Sequence, residues 1–242
     1  MGRLFILTGP SCAGKSPMHR CLARVHPEMN LMLKKVVLFN SRAPRIGEVE
    51  GKDYYFRPRE HIEQSRSADD FLVMEVRGDL QALDLKHLRE NLISNDALYE
   101  GNPYVAHQLA ADPSLAHIEK LSMYLSPVSR EEMEFMHTEQ TIDPRKLVAD
   151  IMRRKLLRRT RNLKGELALP DLQTIERRAT SAYEELLMAH HFDHVLVNHD
   201  GEDSENWEAF YYPMGDARRS FENFVLLLRG EPAQTEQWKP EF

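Results

Sequence analysis

Gly9-Pro10-Ser11-Cys12-Ala13-Gly14-Lys15-Ser16 is the stretch that decides how this chain folds. It follows an apolar run, Arg3 to Thr8 (RLFILT), with the make-up of a buried strand, and it opens a helical stretch from Lys15 to about Val25. A strand before and a helix after give the G-x-x-x-x-G-K-[ST] spacing its physical meaning. Small residues let successive backbone N–H groups turn inward as an anion nest, at a helix end whose dipole favours negative charge. In such a loop Lys15 reaches the outer phosphates of a nucleoside triphosphate and the Ser16 hydroxyl serves as a Mg²⁺ ligand. Gly9, Pro10, Ser11, Cys12, Ala13, Gly14, Lys15 and Ser16 are therefore the expected ATP and phosphate site. The bland alternative, a chance glycine-rich turn, does not account for the flanking strand and helix. Pro17 has no N–H to add to the nest, although proline is tolerated in a first helical turn.

Outward from the loop, strand-like runs alternate with helical stretches. Val36 to Phe39, Phe71 to Val76, Ala97 to Glu100, Ile118 to Leu125 and His194 to Asn198 read as strands. The segment from Asn40 to Phe56 carries too many Pro and Gly signals to be helical and reads as loops with short strands. Leu85, Leu88, Leu92 and Ile93 form a helical stripe, and Ser129 with Glu132 forms a capping box. Asp143-Pro144 opens a helix that runs to Lys164 and stops at Gly165. Another helix starts near Asp171, and Asp216 caps a last one that ends at Gly230. Residues 231–242 read as a loose tail. The alternation predicts an α/β protein with a parallel central sheet.

Composition narrows the class. The chain has 242 residues, 42% hydrophobic and 29% charged, and a formal net charge of −6. That balance is ordinary for a globular protein and disfavours a general nucleic-acid coat. The absence of a long apolar run argues against a membrane span or a signal peptide. Cys12 and Cys21 lack metal-type spacing, which fits a reducing, cytoplasmic setting.

Arg42-Ala43-Pro44-Arg45-Ile46-Gly47-Glu48-Val49-Glu50-Gly51-Lys52-Asp53-Tyr54-Tyr55-Phe56 closely resembles the guanylate-kinase signature, which begins R-x-P-R-x-G-E and ends G-x-D-Y-x-F. Ile175-Glu176-Arg177-Arg178 and Val197-Asn198 look like later segments of the same family. The resemblance implies a three-layer P-loop fold with a parallel central sheet. It also implies a small acceptor-binding subdomain (about 35–96) and an enlarged helical lid (about 137–170), all within residues 1–203. Residues 204–242 would form a helical extension and tail. It further implies ATP-dependent transfer to GMP or a related phosphate-bearing acceptor, with Mg²⁺ as the cofactor and nucleotides as the partners. Arg42, Arg45 and Tyr54 match positions that hold the acceptor phosphate, Arg178 one that reaches the transferring phosphates, and Asn198, at the end of the last strand, joins the ATP and phosphate-binding residues. Two arginines three apart suit bidentate phosphate contacts. Without the P-loop they would read as a solvated charge pair.

The chain also departs from the family. Val73 stands where the family's guanine-reading Glu is expected, Leu83 where a hydroxyl residue is, Gln81 where a phosphate-binding Tyr is, and Leu38 where a Ser is. Glu75 offers a carboxylate one slip away, and Glu100 is the nearest equivalent of the family's acidic motif before the next helix. Glu75, Gln81 and Glu100 complete the expected acceptor site, with Glu100 also able to serve near the metal.

Between Arg145 and Lys164 lie nine basic residues, with an apolar stripe at Leu147, Val148, Ile151, Met152 and Leu156. Arg153, Arg154, Arg158 and Arg159 are candidates for a lid arginine that neutralises charge on the transferring group, with Arg154 and Arg158 put forward as catalytic. A solvated charged face and a polyanion patch that could bind nucleic acid are the alternatives. The sequence leaves the oligomeric state open. A non-catalytic guanylate-kinase-like binding module also stays open, although Lys15 and Ser16 are intact.

Overall fold

The computed structural model describes residues 1–45 and 47–240. Ile46 of the signature and Glu241 and Phe242 of the tail lie outside the described residues. Five parallel strands build the main sheet: β1 (Leu4–Thr8), β2 (Leu33–Lys35), β7 (Asp96–Glu100), β8 (Lys120–Ser126) and β9 (His194–Val197), in the order β2-β7-β1-β8-β9. A second sheet, ordered β4-β3-β6-β5, contains β3 (Leu38–Asn40), β4 (Tyr54–Phe56), β5 (Phe71–Val76) and β6 (Asp79–Asp84). Helices α1 (Lys15–Val25), α2 (Pro27–Met32), α3 (Arg59–Gln64), α4 (Leu85–Leu92) and α5 (Pro103–Ala111) belong to the first half of the chain. Helices α6 (Arg130–Thr138), α7 (Pro144–Lys164), α8 (Leu169–Thr180), α9 (Ala182–Leu187) and α10 (Gly215–Arg229) follow.

β1 is wholly buried because both of its faces are covered, as a central parallel strand requires. Leu4 and Ile6 enter one core with Tyr99, Val105, Leu109 and Tyr124, while Phe5 and Leu7 enter another with Met18, Leu22, Phe221 and Phe224. The loop after β1 is thereby fixed at the carboxyl edge of the sheet, between the two cores. Helices on both faces of a parallel sheet make the three-layer α/β architecture that the alternation predicts.

Several local expectations change. The run Val36 to Phe39 is not one strand. The chain passes at Val36-Val37 from β2 in the main sheet to β3 in the second, so the crossing point joins the two sheets. β6 went unread in the sequence because Leu80, Ala82 and Leu83 do not alternate cleanly. Asp216 lies in the first turn of α10 without capping it; the capping carboxylate is Asp200, which accepts from the Ala217 amide at 3.0 Å. Residues 231–240 are not loose: Val195 and Glu236 exchange backbone hydrogen bonds of 2.9 Å, and Trp238 is buried. An edge strand with unpaired backbone groups recruited this segment where hydropathy alone gave no signal.

Residues 204–229 cover one face of the main sheet. Trp207 is 2% exposed, donates its indole N–H to the carbonyls of Asp200 and Gly201 (both 3.1 Å), and packs beside Gly14. Trp207→Ala is expected to cost about 3–5 kcal/mol through the cavity and the orphaned carbonyls. Chemical denaturation would measure it, and a cost near zero would mean that this face does not support the loop.

Candidate functional site

The loop between β1 and α1 is held by geometry that only small residues allow. Gly9 has φ 139°, and a Cβ there would lie 2.2 Å from the Leu125 carbonyl oxygen; Gly14 has φ 109°, and a Cβ would lie 2.6 Å from Asn198 Nδ2. Cys12 adopts φ 68° with its side chain buried. Lys15 turns its ammonium back over the loop, donating to the Gly9 and Pro10 carbonyls at 2.8 and 2.7 Å. Burial lowers its pKa, opposed by the nearby carboxylates of Glu202, Glu100 and Glu185. Pro17 is buried in the first turn of α1, where its missing N–H breaks no helical bond. Asn198 lies behind the loop, donating to the Ala13 carbonyl at 2.8 Å, so it props the nest.

Ser16 Oγ donates to Glu100 Oε1 at 2.6 Å at the mouth of the loop. His19 Nδ1 lies 3.2 Å from the other carboxylate oxygen and is itself steadied by Asn30 at 3.0 Å. Burial alone would raise the Glu100 pKa; the hydrogen bond from His19, nearby positive charge and Ser16 instead hold it at about 2. A hydroxyl and an ionised carboxylate side by side next to Lys15 suit a hard cation that takes its remaining oxygens from phosphate and water. Ser16 and Glu100 therefore fit Mg²⁺. The same shift gives a pH prediction. With a folded pKa near 2 against an ordinary 4.5, Glu100 contributes stability that is present above 4.5 and lost as pH falls toward 2. Glu100→Gln should be less stable than the parent at pH 7, with the difference closing below pH 4.5. Melting curves against pH would test it; a difference independent of pH would contradict it.

Facing the loop across the cleft is the arginine-rich segment before β4. Arg42 forks onto Glu48 with two bonds of 2.6 Å and lies over the rings of Tyr54 and Phe56 at 5.1 and 5.7 Å. Glu48 also accepts from the Arg45 amide at 2.7 Å, so this carboxylate orders the whole turn. Arg42, Arg45, Tyr54, Gln81 and Glu100 all line the same cleft as Lys15 and Ser16. Gln81 accepts from Asn102 at 3.0 Å, which ties the second sheet to the start of α5.

Glu75 is not brought there. The two-residue period of β5 puts Val73 on the face that packs on Ile62, Leu80 and Ala82, and Glu75 lies at the surface, paired with Arg59 at 2.7 Å. The side chains on the opposite face are Leu72, Met74 and Val76, joined by Leu38 and Leu83. The position that matters is therefore not Val73, and the residues that do share the cleft's face of β5 are all apolar.

Nor do Arg154 and Arg158 reach the cleft. Val148, Met152 and Leu156 mark the buried face of α7, and Arg159, three residues beyond Leu156, continues it. Arg154 is exposed and bonded to its own helix at Asp150, and Arg158, 67% exposed, pairs with Asp203. Arg159 and Arg178 line the cleft, together with Arg177 and Arg77. Arg178 donates to Ser11 Oγ at 2.9 Å. Burial, then the guanidinium groups of Arg45, Arg159 and Arg77, push its pKa down to about 9, with Glu202 opposing. Such crowding of buried positive charge is relieved by an anion. Much of the remaining charge on α7 is spent inside the fold: Arg145 pairs with Glu184, Arg153 with Glu176, and Lys164 with Asp171. A charged face knitted to its neighbours fits α7 better than a polyanion patch.

Sequence reading missed Arg77, Lys35, Asp53 and Glu202 in this cleft. Arg77 carried a usable signal, since it precedes Gly78 in a two-residue hairpin turn and takes φ 55° where Asn or Gly is the usual choice. Its guanidinium reaches the fully buried Glu185 of α9 at 2.5 Å, tying the hairpin to the core.

Strand, glycine-rich turn and helix, with two walls of arginine around the turn, define a P-loop protein. The family model for guanylate kinase matches residues 1–153. A guanylate kinase of Koribacter versatilis is 30% identical over 201 residues, 81% of this chain and 72% of the relative. One of Synechococcus is 29% identical over 215 residues, 88% and 83% of the two chains. The crystal structure of guanylate kinase from Anaplasma phagocytophilum shares the fold with a TM-score of 0.55 at 19% identity, over 95% of this chain and 85% of that one. The chain belongs to the guanylate kinase family. No helix among the described residues is long and apolar enough to cross a membrane.

Proposed function

We propose that this protein transfers the γ-phosphoryl group of ATP to a phosphate-bearing acceptor of the nucleoside-monophosphate class, and that it reads guanine poorly. The observation that carries this reading is a single cleft with a phosphate nest on one wall, the Arg42–Arg45–Tyr54 turn on the other, and Arg159 and Arg178 beside both. Residues 35–96 act as the acceptor subdomain and residues 137–170 as the lid.

The chemistry is positioning and charge stabilisation. Arg42 and Arg45 hold the acceptor phosphate so that one of its oxygens faces the γ-phosphorus, with the rings of Tyr54 and Phe56 keeping Arg42 in place. As the bond to the β-γ bridging oxygen breaks, negative charge spreads over the transferring group, and Lys15, Arg178 and Arg159 meet it. Ser16 and Glu100 would hold Mg²⁺, which would supply further neutralisation of the phosphate charge. Glu48 releases Arg42 to the acceptor phosphate, a stronger bidentate partner.

The base end of the acceptor meets Leu38 and the apolar face of β5. That end is lined by Leu38 and Val76 with Asp79 and Gln81 as its polar side chains, in place of the family's Glu and hydroxyl, while the phosphate grip suits any monophosphate. An ADP-release assay over nucleoside monophosphates, their parent nucleosides and sugar phosphates tests the reading. Release should need Mg²⁺ and a phosphate-bearing acceptor, with the unphosphorylated nucleosides inert. ATP turnover unaffected by every acceptor would overturn it.

A further inference from the structure

We propose that Glu202 sets the affinity of the donor-phosphate site, its carboxylate holding Arg159 until the phosphates of an incoming nucleoside triphosphate take that guanidinium. The inference rests on the donor site proposed above. Glu202 belongs to a short loop after β9, outside the sequence motifs, yet its side chain is only 9% exposed and pairs with Arg159 at 2.9 Å. It lines the phosphate cleft with Lys15 and Arg178. It is therefore a carboxylate placed among the groups that bind phosphate.

The loop that carries it cannot easily move aside. The Glu202 amide donates to the Cys12 carbonyl at 3.1 Å, and a Cβ on Gly201 would lie 2.6 Å from the same oxygen. Trp207 fixes the carbonyls of Asp200 and Gly201 from behind. The neighbouring contacts run to the same helix: Asp203 pairs with Arg158 at 3.1 Å, and the His199 carbonyl accepts from Lys155. Successive residues of one loop thus grip one side of α7 against the P-loop.

Arg159 meets Glu202 through its Nε edge, and a phosphate that takes that edge two-pronged displaces the carboxylate. Binding of the donor therefore includes the loss of the Arg159–Glu202 pair, and the anionic carboxylate stays near the arriving phosphates. Both effects lower affinity, and both vanish when Glu202 is made neutral. The alternative role, a brace that aims Arg159 at the donor, has the opposite sign, because loosening Arg159 would weaken binding.

Titration calorimetry with ATP in EDTA, and separately with inorganic pyrophosphate, distinguishes them. Glu202→Gln, close in shape, should bind both ligands more tightly than the parent by about five- to 150-fold, the usual range of such coupling. In an Arg159→Gln background the same substitution should gain less, because the competition for Arg159 is gone. Asp203→Asn, whose partner lies outside the cleft, should change affinity little. Unchanged or weaker binding by Glu202→Gln, with parent binding intact, overturns the proposal. Failure of the parent to bind either ligand overturns the donor-site reading itself, and this inference with it.

Discussion

Lys15→Ala is expected to lower the rate of phosphoryl transfer by about 10²–10³-fold, the usual result of removing one preorganised charge from a transferring phosphate. Lys15 is buried and already bent over the loop by the Gly9 and Pro10 carbonyls, so its position is fixed before any ligand arrives. Burial leaves its charge short of solvation, and a triphosphate supplies what two neutral carbonyls do not. The same substitution should remove most of the rise in melting temperature given by ATP, a rise that follows from mass action on the folded state. Shortening the side chain leaves Gly9, Gly14 and their positive-φ backbone untouched, so the variant should fold. An unchanged transfer rate would show that the loop is structural and that ATP binds elsewhere.

Arg178→Ala carries the second large effect, a loss of about 10³-fold or more in kcat with a smaller change in ATP affinity. Arg178 lies against Ser11 of the loop and is crowded by Arg45, Arg159 and Arg77. A cation kept in such company costs stability until an anion arrives, and the anionic charge is most dispersed in the transition state. The variant should therefore be less active and, without ligand, at least as stable as the parent. That pairing separates a functional arginine from a structural one, which would lose stability when removed. Single-turnover kinetics and melting curves on one protein preparation would show both. A destabilised variant with normal kcat would place Arg178 in the scaffold.

The parts of this site that were legible in the sequence are those built from neighbours along the chain. The P-loop and the Arg42–Tyr54 turn are local devices whose spacing is their mechanism, and Asp143-Pro144 and Gly165 bounded α7 because caps are chemical signals. What was not legible depends on phase or on tertiary contact. The choice of Arg159 over Arg154 and Arg158 follows from the helical phase of Val148, Met152 and Leu156, a signal present in the sequence but masked by the density of charge around it. The misplacing of Val73 and Glu75 is a one-residue slip on a strand, which exchanges faces completely. Glu202 and Trp238 carried no local signal at all. One is an acid in a polar loop and the other an indole in a polar tail, and only packing against the P-loop and β9 gives them meaning.

Comparison of kcat/KM for GMP, AMP, CMP, UMP and their deoxy forms tests the proposed mismatch between the two ends of the acceptor site most directly. On the proposed reading Arg42 and Arg45 grip any monophosphate, whereas the base end carries Leu38 and Val76, with Asp79 and Gln81 as its polar side chains, and lacks the family's Glu and hydroxyl. Each unsatisfied buried group costs about 1–3 kcal/mol. Two such losses remove roughly one and a half to four orders of magnitude of guanine discrimination at about 1.4 kcal/mol per decade. The predicted result is that GMP is not the preferred acceptor, while Arg42→Ala abolishes turnover of whichever acceptor is best. Efficient turnover of GMP with a clear preference over AMP would contradict the account, and would mean that polar groups such as Asp79 or Gln81 read guanine in place of the missing side chains.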